Sequence, residues 1–418
     1  MKRFTLLICL SLAACEEARL RTIPPEPIET NVRREVSRDV CFKTPKAEGI
    51  KQLDVLFLMD TTGSMTFAIK NLQDNVRTML EELKLQVADV RFAVARFDDY
   101  RPICALAQGT DDPSDTTYTL LAPLTSDGDV LQTAVAGLTR PDGAPMGNGA
   151  DGLACGYEAL YQAATGVGLD TNKDGVYFGV DALYDVAPMP AGWRGEAKKV
   201  IVMITDASFV EIEKQRSGRG GTNDTWVQDT RAIQDKLQQG GAATKQQALD
   251  ALNMNNIKLV GIAVGTQRSE SFPDLRTVAE ATGTFTFTGF SPLGTDYTQL
   301  GAISPGGPLV FRTDAAGNPY ASGKATMAKT MVDSLADIVN ATDVKLTLDV
   351  TGESKRTEEQ VQLVIEPQLA EGVPPETEVC FTVRAEWPSA RKAALPSITA
   401  KVETNGKEFG DKAVTLAE

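Results

Sequence analysis

Asp60, Thr62 and Ser64 stand at alternate positions directly after the apolar run Val55-Leu56-Phe57-Leu58-Met59. With Gly63 loosening the turn, one short loop can aim a carboxylate and two hydroxyl oxygens at a common point, and three hard oxygen donors suit a hard divalent cation. A second acid, Asp206, ends a similar run, Val200-Ile201-Val202-Met203-Ile204-Thr205. In an open α/β sheet, ligands bind beyond the carboxyl ends of the strands, where the strand order reverses. If the two runs are neighbouring strands at that point, both aspartates face one crevice. Taken alone, each aspartate reads instead as a helix N-cap or a turn former.

Composition removes several other chemistries. The chain has 418 residues and no histidine, which excludes Ser-His and Cys-His pairs, imidazole metal ligands and histidine pH switching. Any metal must be held by oxygen or sulfur. A net charge of −14 repels nucleic acid and anionic lipid, so no nucleic-acid partner is expected.

The elements that must position these residues follow from hydrophobic period. Five consecutive apolar residues, Val55 to Met59, fit a strand buried on both faces, as in a parallel sheet covered by helices. Met65, Ile69, Leu72, Val76, Met79, Leu80 and Leu83 then recur at helical spacing. Strands are predicted at Val90 to Phe97, Thr116 to Leu121, Lys199 to Thr205, Ile257 to Val264 and Thr284 to Phe290, with helices near 128–138, 153–165, 226–253, 273–282 and 322–340. Strands alternating with helices give right-handed βαβ units and a mostly parallel, doubly wound sheet. From Val344 the pattern changes to alternation without helices, as in a small β-sandwich.

The N-terminus reads as an export signal: Lys2 and Arg3, an apolar core from Phe4 to Leu12, then Ala13 and Ala14 before Cys15. It is too short to span a bilayer as a helix, and no later segment is long and apolar enough. Leu12-Ala13-Ala14-Cys15 resembles the lipobox of bacterial lipoproteins, in which the cysteine is lipidated. That resemblance implies residues 1–14 as the signal peptide and Cys15 as a lipid anchor. Glu16, in place of an inner-membrane retention aspartate, points to the outer membrane. The charged, proline-bearing stretch from 15 to 38 fits a tether.

Export places Cys41, Cys104, Cys155 and Cys380 in an oxidising compartment. Of the three possible pairings, the expected one is Cys41 with Cys380 and Cys104 with Cys155, the first pair in flanking segments and the second in the central one. Buried unpaired thiols are the alternative. Val40-Cys41-Phe42 and Val379-Cys380-Phe381 look alike, so residues 39–49 and 342–418 are expected to form one β domain around the α/β block at 50–341.

Taken together, the two acid-ending strands resemble the von Willebrand factor type A family. Asp60-Thr61-Thr62-Gly63-Ser64-Met65 is similar to the Asp-x-Ser/Thr-x-Ser motif of its metal-ion-dependent adhesion site, and Ile201 to Asp206 to its later strand with a metal-shell aspartate. The resemblance implies a Rossmann-like fold with a magnesium ion (or manganese or calcium) held by Asp60, Thr62, Ser64 and Asp206, directly or through water. Phe97-Asp98-Asp99-Tyr100, Pro123-Leu124-Thr125, Gly147-Asn148-Gly149-Ala150-Asp151-Gly152 and Gly156 to Gln162 are similar, in order and spacing, to the integrin β-subunit version. There a loop glutamate is the extra ligand, and Asp151 is the nearest acid here. Thr66 and Phe67, after the motif, are not acidic, so the adjacent second cation site of integrins is not expected.

A second candidate site is Asp170-Thr171-Asn172-Lys173-Asp174-Gly175, with Asp181 at the twelfth position. The spacing follows the calcium-loop consensus and resembles the single loops of dockerins; an acidic turn without an ion is the alternative. Arg216 to Gly221 should hang near the crevice as a loop. The function these features imply is not enzymatic. It is a surface-anchored, cation-dependent protein-binding or adhesion module in which an acidic residue of a protein partner completes the metal's coordination. An envelope scaffold with a purely structural metal is the alternative, and a metal-dependent hydrolase ranks below both, since no general base is evident.

Overall fold

The computed structural model describes residues 33–44, 52–109, 112–149, 153–177, 183–214, 225–265, 271–284, 308–313, 331–332, 335, 338, 342–351, 362–367, 369–373, 376–388, 397–404 and 407–415. The export signal, Cys15, Asp151, Asp181, the Arg216–Gly221 loop and all but the first residue of the strand expected at 284–290 lie outside them.

The chain opens with β1 (Arg33–Lys43), which begins inside the stretch read as tether. Then come β2 (Gln52–Asp60), a 3-10 turn at Gly63–Met65, α1 (Thr66–Lys84), β3 (Asp89–Phe97), α2 (Arg101–Gln108), β4 (Thr119–Thr125), α3 (Gly128–Ala136), β5 (Leu153–Ala154) and α4 (Gly156–Thr165). The block continues through β6 (Lys198–Thr205), β7 (Ser208–Phe209), α5 (Thr225–Gly240), α6 (Lys245–Met254), β8 (Ile257–Ala263), α7 (Phe272–Ala281) and β9 (Val310–Arg312). The last part is all strand: β10 (Thr342–Thr351), β11 (Gln362–Glu366), β12 (Leu369–Val373), β13 (Glu378–Pro388), β14 (Ser397–Thr404) and β15 (Lys407–Val414).

Six strands form one sheet in the order β4-β3-β2-β6-β8-β9, parallel throughout except for β4, which runs against β3. The chain fills one side of β2 first and then crosses to the other. The order therefore reverses between β2 and β6, where a crevice opens beyond the strand ends. Every residue of β2 from Leu53 to Asp60 is buried, and alternation assigns its side chains to two cores. Val55, Phe57 and Met59 pack with Ile69, Leu72 and Val76 of α1 and with the helical residues Met331, Leu335 and Ile338. Leu56 and Leu58 pack with Tyr157 and Leu160 of α4, Leu252 of α6 and Leu275 of α7. Each such side chain stabilises the fold by roughly 1.5–3 kcal/mol, and the two-sided burial is why the run reads as continuous rather than alternating.

The amino-terminal end of β2 is tied down by charge. Asp54, fully buried, accepts bonds from Arg194 N at 2.8 Å and Nε at 2.7 Å, and the same guanidinium pairs with Asp89. This fixes the segment before β6 across the bottom of the sheet.

The remaining strands form a three-stranded sheet, β1-β13-β11, and a four-stranded antiparallel sheet, β12-β10-β14-β15. Val40, Phe42, Phe381 and Val383 from the first share one core with Val344, Leu346, Ile398 and Val402 from the second. Cys41 stands opposite Cys380 in the β1–β13 register, and the two form a disulfide. The other expected pairing is not found: Cys104 and Cys155 are free, buried thiols. Cys155 Sγ donates to Asp98 O at 3.4 Å and Thr117 O at 3.2 Å, so it serves as a small enclosed packing residue with a weak donor. Proximity in sequence order was a poor guide to this pair. Among the described residues no helix is long and apolar enough to cross a membrane.

Candidate metal centre at the carboxyl end of the central strands

Asp60 is the last residue of β2, and its carboxylate is fully buried. One oxygen, Oδ1, accepts the Thr62 backbone N–H at 2.8 Å, closing a turn that sends the chain out of the sheet. The other, Oδ2, accepts the Thr205 hydroxyl from neighbouring β6 at 2.6 Å. Burial, with the Asp206 carboxylate adding like-charge repulsion, pushes the Asp60 pKa up to about 7, against the lowering effect of these bonds.

Beyond Asp60 the loop presents hydroxyls. Thr62 Oγ1 and Ser64 Oγ lie 3.3 Å apart, and Gly63 and Ser64 are exposed while Thr61 is fully buried. Met65 N donates to Thr62 O at 3.0 Å, starting the turn that leads into α1. Asp206 follows β6 and is half-buried. Its interaction with Asp60 is electrostatic and repulsive. The structure thus brings Asp60, Thr62, Ser64 and Asp206 to the crevice between β2 and β6, while Asp151 lies outside the described residues.

A third loop closes over this one. Gly147 N donates to Thr61 O at 3.1 Å, and Gly63 N donates to Asn148 O at 3.4 Å. Asn148 N donates in turn to Asp115 Oδ1 at 2.8 Å, and Arg140 donates to Met146 O at 2.9 Å and to Asp112 Oδ2 at 2.9 Å. The approach is close enough to demand glycine twice. A Cβ on Gly147 would sit 2.2 Å from the Asp98 carboxylate oxygens, and one on Gly149, whose φ is +70°, would sit 2.7 Å from Thr62 Cγ2.

Under the loops lies a second buried carboxylate that composition did not single out. Asp98 Oδ1 accepts from the Thr61 hydroxyl at 2.9 Å, Oδ2 accepts from Thr116 N at 3.3 Å, and Arg96 Nη1 stands 3.5 Å away. Burial outweighs the Arg96 charge and carries the Asp98 pKa up to about 8. Thr205, Asp98 and Asp115 all support the site residues and were missed as such. The only sequence signals were an acid pair ending one strand run and a threonine before Asp206.

The donor set fits a hard cation: a buried carboxylate, the hydroxyls of buried Thr62 and exposed Ser64, and a second acid. Among the described residues no three Asp, Glu, Cys or His side chains gather as a metal site. The second predicted site is arranged differently. Asp170, Asn172 and Asp174 share one exposed or half-exposed turn, closed by bonds from Lys173 N, Gly175 N, Asp174 N and Val176 N to their own side-chain oxygens. Asp185, not foreseen, joins it by accepting Thr171 N at 2.8 Å and its hydroxyl at 2.7 Å.

No family model and no curated protein matches the sequence. Among solved structures, the chain aligns with the pilus adhesin SpaC from Lactobacillus rhamnosus GG in its open conformation, at 11% identity and a TM-score of 0.34, covering 91% of this chain and 47% of that one. Another crystal structure of SpaC gives 12% identity and a TM-score of 0.35 over 93% and 46% of the two chains. Proximal thread matrix protein 1 from the mussel byssus gives 13% identity and 0.32 over 71% and 48%. The chain spans about half the length of these structures.

Proposed function

We propose that this protein is a cation-dependent protein-binding module of the von Willebrand factor A type, anchored to the bacterial outer membrane by lipid on Cys15. Asp60, Thr62, Ser64 and Asp206, with Asp151 from the third loop, hold a magnesium ion, and a carboxylate of a protein partner completes its coordination. The observation that carries this reading is Asp60: a fully buried acid at the strand-order reversal, its pKa raised to about 7, beside the Thr62 and Ser64 hydroxyls. When bound, the cation supplies a concentrated positive charge at the crevice of a chain whose net charge is −14. The chain's own residues fix the loop, exclude water from Asp60 and leave Ser64 facing outward.

The scaffold alternative assigns the metal to bracing loops. The direct bonds Gly147 N to Thr61 O and Gly63 N to Asn148 O already do this, which favours the binding reading. For hydrolysis, the enclosed acids near the loops have other work: Asp98 is held as described, Asp99 accepts Tyr100 N and Asp115 accepts Asn148 N.

Calorimetric titration of Mg2+ into the full chain tests the reading. Saturable binding should vanish in Asp60→Ala, and the wild-type protein should sediment with membranes until Cys15 is replaced by Ala. Magnesium binding undiminished in Asp60→Ala sinks the assignment.

A further inference from the structure

The β-sandwich has four strand edges, and they are not protected alike. β1 and β11 flank β13 in one sheet, and β12 and β15 bound the other. An open edge offers unpaired N–H and C=O groups to any passing strand, and proteins guard it with charges, bulges or covering groups. β1 carries Arg34, Arg38 and Lys43, and the Lys412 ammonium reaches over from β15 to donate to Cys41 O. β15 carries Lys407, Glu408, Asp411 and Lys412, and its pairing with β14 is bulged. β12 has Glu371 at its centre and a bulge in its pairing with β10.

β11, Gln362-Leu363-Val364-Ile365-Glu366, has none of these at its centre. Its register with β13 is unbroken, and among the described residues β13 is the only strand it pairs with. Its one charge, Glu366, stands at the end and is already paired with Arg384 of β13 at 3.2 Å. Leu363 and Ile365 turn toward the sandwich core yet are only half-buried, whereas Ala385 and Val383, opposite them on β13, are fully buried. Val364, on the outer face, is half-buried as well.

The strand is also its own complement. Turned about a two-fold axis through Val364, a second β11 runs antiparallel to the first and sets Leu363 opposite Ile365, Val364 opposite Val364 and Gln362 opposite Glu366. The members of each pair lie on one face, as strand alternation requires: Leu363 and Ile365 on the core side, Val364 and the polar pair outside. The carboxylate meets an amide, so no like charges oppose one another. The other edge of the same sheet fails this comparison. A two-fold pairing of β1 about its middle residue sets Arg38 against itself and Arg33 against Lys43. Joining two edges that are already ordered in a sheet costs little chain entropy, and a contact between identical patches closes at two copies.

We propose that the β11 edge is a homodimer interface, at which two copies of this chain pair their β11 strands antiparallel about Val364 and join two three-stranded sheets into one of six strands.

Sedimentation velocity of the full chain carrying Cys15→Ala, over a concentration series, should show a monomer–dimer equilibrium. Val364→Lys sets two ammonium groups face to face on the axis and should weaken the dimer about tenfold or more, with the melting temperature of the dilute protein unchanged. Cysteines read the register. Under mild oxidation Val364→Cys should cross-link to its own copy, whereas Gln362→Cys and Glu366→Cys should stay single alone and cross-link when mixed. A chain monomeric throughout the series, a dimer unmoved by Val364→Lys, or cross-linking of Gln362→Cys alone overturns the proposal. So does a purified monomer whose Val364→Cys thiol is captured in the cell envelope by a different protein, since that assigns the edge to another strand. None of these readouts involves the cation site, so they stand or fall apart from the metal reading.

Discussion

Two loops of this protein carry nearly the same side chains in opposite surroundings. Asp60 to Ser64 sits at the end of a strand with no exposed face, and its carboxylate is fully buried and shifted to about 7. Asp170 to Gly175 lies at the surface, its carboxylates satisfied by backbone N–H groups of its own turn. Acid and amide spacing alone made both look like cation sites. The difference is dielectric: an acid taken out of water and set near a second acid is unstable as an anion until a cation arrives, whereas an exposed acid in a closed turn is already satisfied.

The largest expected effect follows from that difference. Because the folded pKa of Asp60 lies near 7, above its ordinary 3.8, the cation-free fold holds a proton that the unfolded chain releases. Its contribution to stability is full below about pH 4 and is lost as pH rises through about 7. Replacing Asp60 with Asn removes this loss. Without magnesium above pH 7, Asp60→Asn should melt several degrees higher than wild type, a gain of up to roughly 4 kcal/mol, while near pH 4 the two should coincide. Asp98 titrates in the same direction near 8, and because the Asp60 charge is one of the causes that raise it, Asp60→Asn eases that loss as well and adds to the gain. The variant should also lose the magnesium-induced stabilisation, which in wild type should grow as pH rises toward 7. Thermal melts at pH 4, 6 and 8 with and without Mg2+ decide it; an Asp60→Asn protein less stable than wild type at pH 8 without metal would refute the buried-anion argument.

Two glycines sharpen the comparison next. Gly149 has φ +70° and Gly175 has φ +76°, so an alanine at either carries a similar backbone strain of about 1–2 kcal/mol. Their surroundings differ. A Cβ at Gly149 would meet Thr62 Cγ2 at 2.7 Å, whereas one at Gly175 has nothing within 4 Å. Gly149→Ala should therefore lower magnesium affinity about tenfold by displacing Thr62, while Gly175→Ala should lose a comparable stability and leave magnesium affinity alone. Equal magnesium affinities in the two variants would mean that the third loop does not position the first.

How much of this was legible in the sequence depends on the range of the contact. The β2 strand and its terminal acid were readable because burial on both faces leaves a run of five apolar residues, Val55 to Met59. The hydroxyls followed within the same turn. The bonds of Thr205, 145 positions from Asp60, and of Asp98, 37 positions from Thr61, were not readable, although Asp98 stood in a motif already singled out, since only strand register brings the partners into contact. The helix Arg101–Gln108 was missed, and β5 and β7, two residues each, are too short to show a period. Both cysteine pairings were inferred from position, flanking or central, and the Cys41–Cys380 pairing is present, where the two strands lie in register. The same reasoning failed for Cys104 and Cys155, which are free, buried thiols.

The smallest effect belongs to the exposed loop. Asp170 already accepts Lys173 N at 2.6 Å and Gly175 N at 2.8 Å, and Asp174 Oδ1 accepts Val176 N at 2.7 Å. A calcium ion there joins a turn that is closed without it. One oxygen is different: Asp185 Oδ2 is enclosed and has no hydrogen-bond partner among the described residues, while its Oδ1 holds Thr171. Calcium held by Asp170, Asn172 and Asp174, with Asp181 and Asp185, would act as a clip on this segment. Millimolar Ca2+ should raise the melting temperature of Asp60→Asn, in which the main site is disabled, by no more than about 2 °C, and Asp170→Asn should abolish that increment. A shift of several degrees surviving in Asp60→Asn and lost in Asp170→Asn would reverse the comparison, because it would show that an exposed, self-satisfied loop binds a cation as strongly as a buried acid does.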